Sequence, residues 1–286
     1  MAELLRGLPV AQAISERLAT RVKALKDAGT EPTLAMVRVG AREDDLSYER
    51  GATKRCDAVG IRVRTYHLDA DCTQDELMAV IDEVNRDESV HGCLMFRPLP
   101  PSLDEAAACA ALEVAKDVDC VTQASLFGVF AGRDVGFAPC TAEACLALLE
   151  HYGYELEGAE VAVVGRSLVI GKPVSMMLQA RNATVTMCHT RTRDLASVCR
   201  RADVVVVAAG HAGTLRGDAV REGQVIVDVG INWDEQAGRL CGDVAFDEVE
   251  PQVAAITPVP GGVGSVTTAI LAKHVVEAAE RRVVRA

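Results

Sequence analysis

Hydrophobic and polar positions along this chain follow two periods by turns. Helical spacing over residues 10–28 stops at Gly29, and Thr33–Val39 then reads as a strand that ends at Gly40. A second helical stretch, 45–59, is closed by Gly60. Arg62–Leu68 alternates as a strand does, and Thr73 followed by Glu76 predicts a capping box at the start of the next helix. The run 92–96 is apolar throughout, as in a buried strand. It is broken by Pro98-Leu99-Pro100-Pro101 and followed by a helix over 104–112. This β-α-β-α-β order implies a mostly parallel sheet covered on both faces.

The pattern restarts near Cys140. Thr141 is expected to cap a helix running to His151, and strands are expected at 161–164, 183–187, 203–208 and 225–229 with helix-length segments between them. These strands end in Gly165, Cys188, Gly210 and Gly230, small or polar residues that let a ligand approach the carboxyl edge of an open sheet. Two prolines and three glycines between Thr257 and Gly264 make a fixed, side-chain-poor loop against which a flat ligand can lie. The apolar helix after it, 266–281, is expected to pack back on the first unit. The fold class is therefore α/β, with two α/β domains and a cleft between them. Residues 1–139 plus 265–286 form the first domain, and 140–264 form a Rossmann-like, doubly wound parallel sheet.

Composition narrows the reading. In 286 residues, 49% are hydrophobic and only 3% aromatic, enough for full cores built from Ala and Val. A net charge of −11 and the lack of a basic face argue against nucleic acid and against anionic membrane. The first residues turn polar within six positions, unlike a signal peptide, and no apolar run reaches the roughly 18 residues of a membrane helix. The ten cysteines form no C-x-x-C pair and read as reduced, mostly buried thiols of a cytoplasmic protein. No Cys/His cluster has ligand spacing, so no metal is expected.

The strongest chemical signal is Val161 to Pro173, a buried strand that turns at Gly165 and enters a helix near Pro173. Such a turn presents backbone N–H groups and a helix N-terminus to a phosphate. A dinucleotide site that prefers NAD places an acid about 20 residues on, against the ribose 2′-hydroxyl. Here the next strand ends in Cys188-His189-Thr190-Arg191, with Arg166 on the first turn. Hydroxyl and basic groups in place of an acid favour the 2′-phosphate of NADP. NAD stays open, because an arginine also holds a free phosphate beside NAD.

Taken in order, these residues resemble the bifunctional methylenetetrahydrofolate dehydrogenase/cyclohydrolase family. The matching stretches are Pro139-Cys140-Thr141, Gly165-Arg166-Ser167, Ile170-Gly171-Lys172-Pro173 and Ala183 to His189. They continue with Asp228 to Asn232, Gly242-Asp243-Val244 and Thr257 to Gly264. The resemblance implies a tetrahydrofolate one-carbon substrate, NADP, a place in one-carbon metabolism and purine biosynthesis, and a homodimer. It assigns Tyr48 and Asp119 to catalysis and to the folate, with Pro260, Gly261 and Gly262 facing the substrate and Arg97 a further folate-side candidate. Thr141, Gly165, Arg166, Ser167, Thr190, Gly210, Ile231 and Thr267 are assigned to the cofactor, with Arg191 as a helper at the 2′-phosphate.

The chain departs from the family on the folate side. The family's catalytic lysine, four residues after the tyrosine, falls on Ala52, and its glutamine falls on Phe96. Lys54 comes two residues late and so points about 200° away on a helix. Asp45 and Ser265 stand where the family has serine and proline. Removing a hydride from the methylene bridge leaves a cation shared by two nitrogens and needs no side-chain base. Hydrolysing that cation needs one. The expectation is a dehydrogenase with weak or absent cyclohydrolase activity. Two other readings stand beside it: a full bifunctional enzyme in which Lys54 swings in, and a non-catalytic folate or nucleotide binder.

Overall fold

The computed structural model describes residues 1–235 and 237–285, with only the backbone of Arg285. Ala286, the end of the expected first domain, lies outside the described residues. The elements in chain order are β1 (Glu3–Leu4), α1 (Gly7–Asp27), β2 (Thr33–Val39), α2 (Glu43–Val59), β3 (Arg62–Leu68), α3 (Gln74–Arg86), β4 (Gly92–Met95), α4 (Glu105–Ala111) and α5 (Gln123–Ala131). There follow α6 (Cys140–His151), β5 (Glu160–Val164), α7 (Gly171–Gln179), β6 (Thr184–Cys188), α8 (Leu195–Arg201), β7 (Val204–Val207), β8 (Val225–Asp228), β9 (Asn232–Asp234), β10 (Arg239–Cys241), α9 (Phe246–Val249), β11 (Ala255–Ile256) and α10 (Gly264–Arg285).

The chain divides into two compact units. One comprises Gln12–Cys140 and Thr268–Ala286, the other Met1–Ala11 and Thr141–Thr267. The first has a parallel sheet of order β3-β2-β4. Every residue of β2 is buried, as its unbroken apolar run requires of a central parallel strand, whereas the edge strand β3 alternates. Leu77, Ile81 and Val84 on one stripe of α3 join Ala35, Val37 and Met95 in its core. Thr73 and Glu76 make the expected capping box. Gly60 adopts the left-handed conformation at the end of α2.

The second unit has a six-stranded parallel sheet of order β1-β11-β8-β7-β5-β6. The chain leaves β5 for β6 on one side and then crosses to β7 on the other. The switch point therefore lies between β5 and β7, where open α/β sheets bind ligands beyond the carboxyl ends of their strands.

Two expectations need correction here. The first residues do not stay with residues up to 139, because β1 pairs with β11 and extends the second sheet. An exposed edge of a parallel sheet is completed by whichever strand reaches it, and a two-residue strand leaves no periodicity to read. Thr141 does not cap α6 but lies inside it. The N–H of Cys140 at the helix start is taken instead by the Asp119 carboxylate at 3.2 Å, a partner distant in sequence. Helix α7 begins at Gly171, near Pro173 as expected, and the proline is tolerated in the first turn because N–H groups there have no intrahelical acceptor. The periodicity also passed over α5 and the antiparallel pair β9–β10.

None of the ten cysteines is in a disulfide, and nine of them are buried. Among the described residues, no helix is long and apolar enough to cross a membrane.

Candidate active site

At the carboxyl end of β5 the chain turns at Gly165, whose φ is 142°. A Cβ there would fall inside contact distance of the Ala208 carbonyl oxygen at the end of β7, so glycine alone lets the two strand ends close on each other. The turn carries Arg166 and Ser167, both exposed. Among the described residues the Arg166 side chain has no hydrogen bond or ion pair, leaving its guanidinium available to an anion. Ser167 is committed locally. Its Oγ accepts from the N–H groups of Ile170 (3.1 Å) and Gly171 (3.4 Å), so the turn offers fewer uncommitted N–H groups than the sequence pattern implies. Thr190 and Arg191 follow the neighbouring strand β6 and are exposed, on the same edge as Gly165, whose N–H donates to Cys188.

Gly210 follows β7, and Ile231, 67% exposed, follows β8. Thr267 is buried, and its hydroxyl donates to the Val263 carbonyl at 3.4 Å. Pro260, Gly261 and Gly262 form the loop before α10. That loop is held to the start of α1, where the Gly7 N–H donates to the Gly261 carbonyl at 2.8 Å.

Two buried carboxylates organise this edge; both lie in stretches that carry the family resemblance, but no role was expected of either side chain. Asp243 accepts from the backbone N–H groups of Ala209 (2.6 Å) and Gly210 (2.8 Å) and from the Asn232 amide (2.9 Å). Asp228 accepts from the N–H groups of Gly230, Asp243 and Val244 at 2.9–3.0 Å, and its own N–H donates to Thr257 Oγ1. Burial raises Asp228 to about 6, against the pull of those three donors. A Cβ on Gly242 would overlap the Asp228 carboxylate, which explains the glycine beside Asp243.

Of the residues expected to face the folate, Tyr48, Arg97 and Asp119 lie in the other unit. Tyr48, Ala52 and Cys56 share one face of α2 at four-residue spacing; Ala52 is 0% exposed and Cys56 nearly so. Phe96 follows β4 and meets Tyr48 edge-on, with ring centroids 6.2 Å apart and planes at 80°. Lys54 is exposed, away from that face. Asp119 is half-buried, and one carboxylate oxygen takes the Cys140 N–H. Burial raises its pKa, while hydrogen bonds from Cys140 and the charges of Arg97 and His274 pull it down. Burial also holds the Tyr48 hydroxyl well above its ordinary value, with Cys140 and Asp119 adding to the effect. Arg97 reaches Glu105 at 3.7 Å.

The Asp119 loop is pinned from both sides. Lys116 donates to the carbonyls of Val84, Asn85 and Asp87. Fully buried Asp117 accepts from the N–H groups of Val121 and Thr122 and from the hydroxyls of Thr122 and Ser125.

Comparison with known proteins decides the family. Residues 5–119 match the model of the tetrahydrofolate dehydrogenase/cyclohydrolase catalytic domain, and 139–283 match that of its NAD(P)-binding domain. The chain belongs to the tetrahydrofolate dehydrogenase/cyclohydrolase family. It is 49% identical over 278 residues to the bifunctional protein FolD 1 of Desulfitobacterium hafniense, covering 97% of this chain and 99% of that one. It is 50% identical over 281 residues to FolD of Carboxydothermus hydrogenoformans, covering 98% of each. Among solved structures of the family, the bifunctional enzyme FolD of Campylobacter jejuni superposes with a TM-score of 0.95 at 39% identity, over 99% of this chain and 100% of that one. The Trypanosoma brucei enzyme, solved with NADP and an inhibitor, gives 0.92 at 37% identity, over 100% and 99%.

Proposed function

We propose that this chain is an NADP-dependent methylenetetrahydrofolate dehydrogenase that releases methenyltetrahydrofolate with little or no hydrolysis of its own. Family membership and the open guanidinium of Arg166 support the dehydrogenase and NADP. The loss of hydrolysis rests on one observation: Ala52 is sealed against the Tyr48 face of α2, and the Phe96 ring packs on Tyr48. Neither residue can move a proton.

When bound, the nicotinamide supplies the hydride acceptor. The cofactor fits the β5–β7 edge because Gly165 keeps that edge free of side chain and the Asp243 carboxylate fixes the Ala209–Gly210 backbone. We assign Gly165, Gly210, Ile231, Thr141 and Thr267 to positioning the cofactor, and Arg166, Ser167 and Thr190 to its phosphate groups. Tyr48 orients the pterin or aminobenzoyl portion, Asp119 accepts from pterin N–H groups, and Pro260, Gly261 and Gly262 present backbone to the folate. The residues must set the donor carbon about 3–3.5 Å from its acceptor. We carry the homodimer over from the family resemblance, and sedimentation velocity on the purified protein tests it.

The deciding assay mixes protein with methylenetetrahydrofolate and NADP, then NAD, and follows reduced cofactor and methenyl absorbance together. Methenyl product accumulating alongside NADPH supports the proposal. NADPH without methenyl build-up beyond the buffer's own hydrolysis supports the bifunctional reading, which the names of relatives at 49% and 50% identity favour. No reduced cofactor from either nucleotide means a binding protein.

Two further results are expected. Arg166→Gln should weaken NADP binding by about tenfold or more, because a charge-assisted contact to phosphate is lost, and should leave NAD binding unchanged. Equal weakening for both nucleotides would remove Arg166 from the 2′-phosphate. Asp119 must be ionised to accept from the pterin. Because burial raises its pKa, kcat/KM should fall on the acid side at a pH above the ordinary carboxylate range. Asp119→Asn should abolish that acid limb, and a limb that survives the substitution belongs to another group.

A further inference from the structure

The unit containing β2, β3 and β4 has a cavity of about 750 Å3 that Tyr48, Phe96 and Asp119 do not line. It lies among the end of α3, the turn before Lys116, the 134–136 loop and the last turns of α10. That volume is within the usual range for a small-molecule site.

Its walls carry Arg86, Lys116, Arg281 and Arg282 against Glu88, Glu113 and Asp134. Lys116 is 4% exposed, and its ammonium is held by three backbone carbonyls at 2.6–2.8 Å, with no carboxylate in ion-pair contact among the described residues. Two of those carbonyls belong to the last turn of α3, whose dipole offsets the charge only in part. Arg281 and Arg282 stand nearby. Their acid partners, Asp134 at 2.6 Å and Glu88 at 3.3 Å, have side chains 82% and 90% exposed, so these pairs are weak and yield to a better acceptor. The Arg281 guanidinium is fixed besides, 4.4 Å over the Phe137 ring.

His91 adds the decisive detail. It lines the cavity and is 7% exposed. Its Nδ1 accepts the Thr33 N–H at 3.2 Å, so the proton of the neutral ring sits on Nε2. Burial, with Arg282 and Lys116 nearby, holds the ring neutral by lowering its pKa to about 4. Among the described residues Nε2–H has no acceptor. Nε2 itself keeps contact with solvent, so an acceptor in the cavity can reach it.

We propose that this cavity binds a phosphate-bearing small molecule through His91 Nε2–H, Arg281 and Arg282. Two guanidinium forks and a ring N–H lining one cavity can meet the several oxygens of a phosphoryl group. The proposal is independent of the dehydrogenase reading.

Calorimetric titration of pyrophosphate into the full chain tests it, with saturating NADP present to occupy the nucleotide site. One equivalent is expected to bind. Arg282→Gln, which removes an arginine 39% exposed, and His91→Asn should each weaken binding by about tenfold. Melting curves and dehydrogenase activity check that both variants are folded. No binding by the natural chain, or affinity unchanged in folded Arg282→Gln, overturns the site. Binding of citrate but not pyrophosphate overturns the phosphate assignment.

Discussion

Placing lysine at 52 and glutamine at 96 together is expected to raise methenyl hydrolysis by about 10²–10⁴-fold over the natural chain, the usual worth of a general acid–base group. Ala52 sits one helical turn from Tyr48 on a buried face, so a lysine there rises beside the tyrosine ring. Phe96→Gln removes the ring that packs on Tyr48 and supplies an amide to hold the ammonium. The single variants should gain little. Ala52→Lys alone buries an ammonium against an aromatic edge, and Phe96→Gln alone buries an amide without its partner. The two changes are therefore coupled, and the double-mutant cycle should be strongly non-additive. Decay of methenyl absorbance reads the rate directly. If the natural chain already hydrolyses methenyltetrahydrofolate as fast as the double variant, the water chemistry resides in another group, and Lys54 is the first to replace.

Gly165→Ala is expected to destabilise the protein by about 2–4 kcal/mol and to remove measurable NADP binding. The backbone there has a φ of 142°, which L side chains rarely adopt, and the new methyl would overlap the Ala208 carbonyl. That carbonyl cannot retreat. The Ala208 N–H is in the ladder to Val164 at 2.8 Å, and Asp243 holds the next two amides. The strand ends must spread, and the spreading falls where the cofactor is proposed to lie. Gly153→Ala is the control: its φ is 76°, but nothing lies within 4 Å of a Cβ there, so it should cost only about 1–2 kcal/mol of left-handed strain. Thermal melts and NADP titration of both variants make the comparison. Equal stability loss with NADP binding intact would separate Gly165 from the cofactor.

Much of the fold was legible because neighbours along the chain decide it. Residues 33–39 and 62–68 are strands as expected, one buried throughout and the other alternating, since a central and an edge strand meet different surroundings. Glycines closed helices where a left-handed residue was required, and Thr73 with Glu76 capped α3. Ala52 and Phe96 at the family's lysine and glutamine positions were also readable, Ala52 by its spacing from Gly40 and Gly60 and Phe96 by its place in the Gly92–Pro100 stretch.

What escaped the sequence depends on partners far along the chain. The start of α6 looked like a threonine cap, but Asp119 supplies the acceptor from 21 residues away. Asp243 reaches back more than thirty residues to fix Ala209 and Gly210, a contact that exists only once β7 and β8 lie side by side. The Phe96 ring on Tyr48 and the His91 donor, which has no acceptor among the described residues, likewise follow from how β2, β3 and β4 are laid against their helices. The chain by itself determined which segments are helix or strand, the turn at Gly165 and which residues stand at 52 and 96, because period, propensity and residue type act locally. Only the tertiary structure decided which carboxylates hold the loops and which donors are left over, because hydrogen bonds between distant side chains and backbone form only after strand order has set their distances.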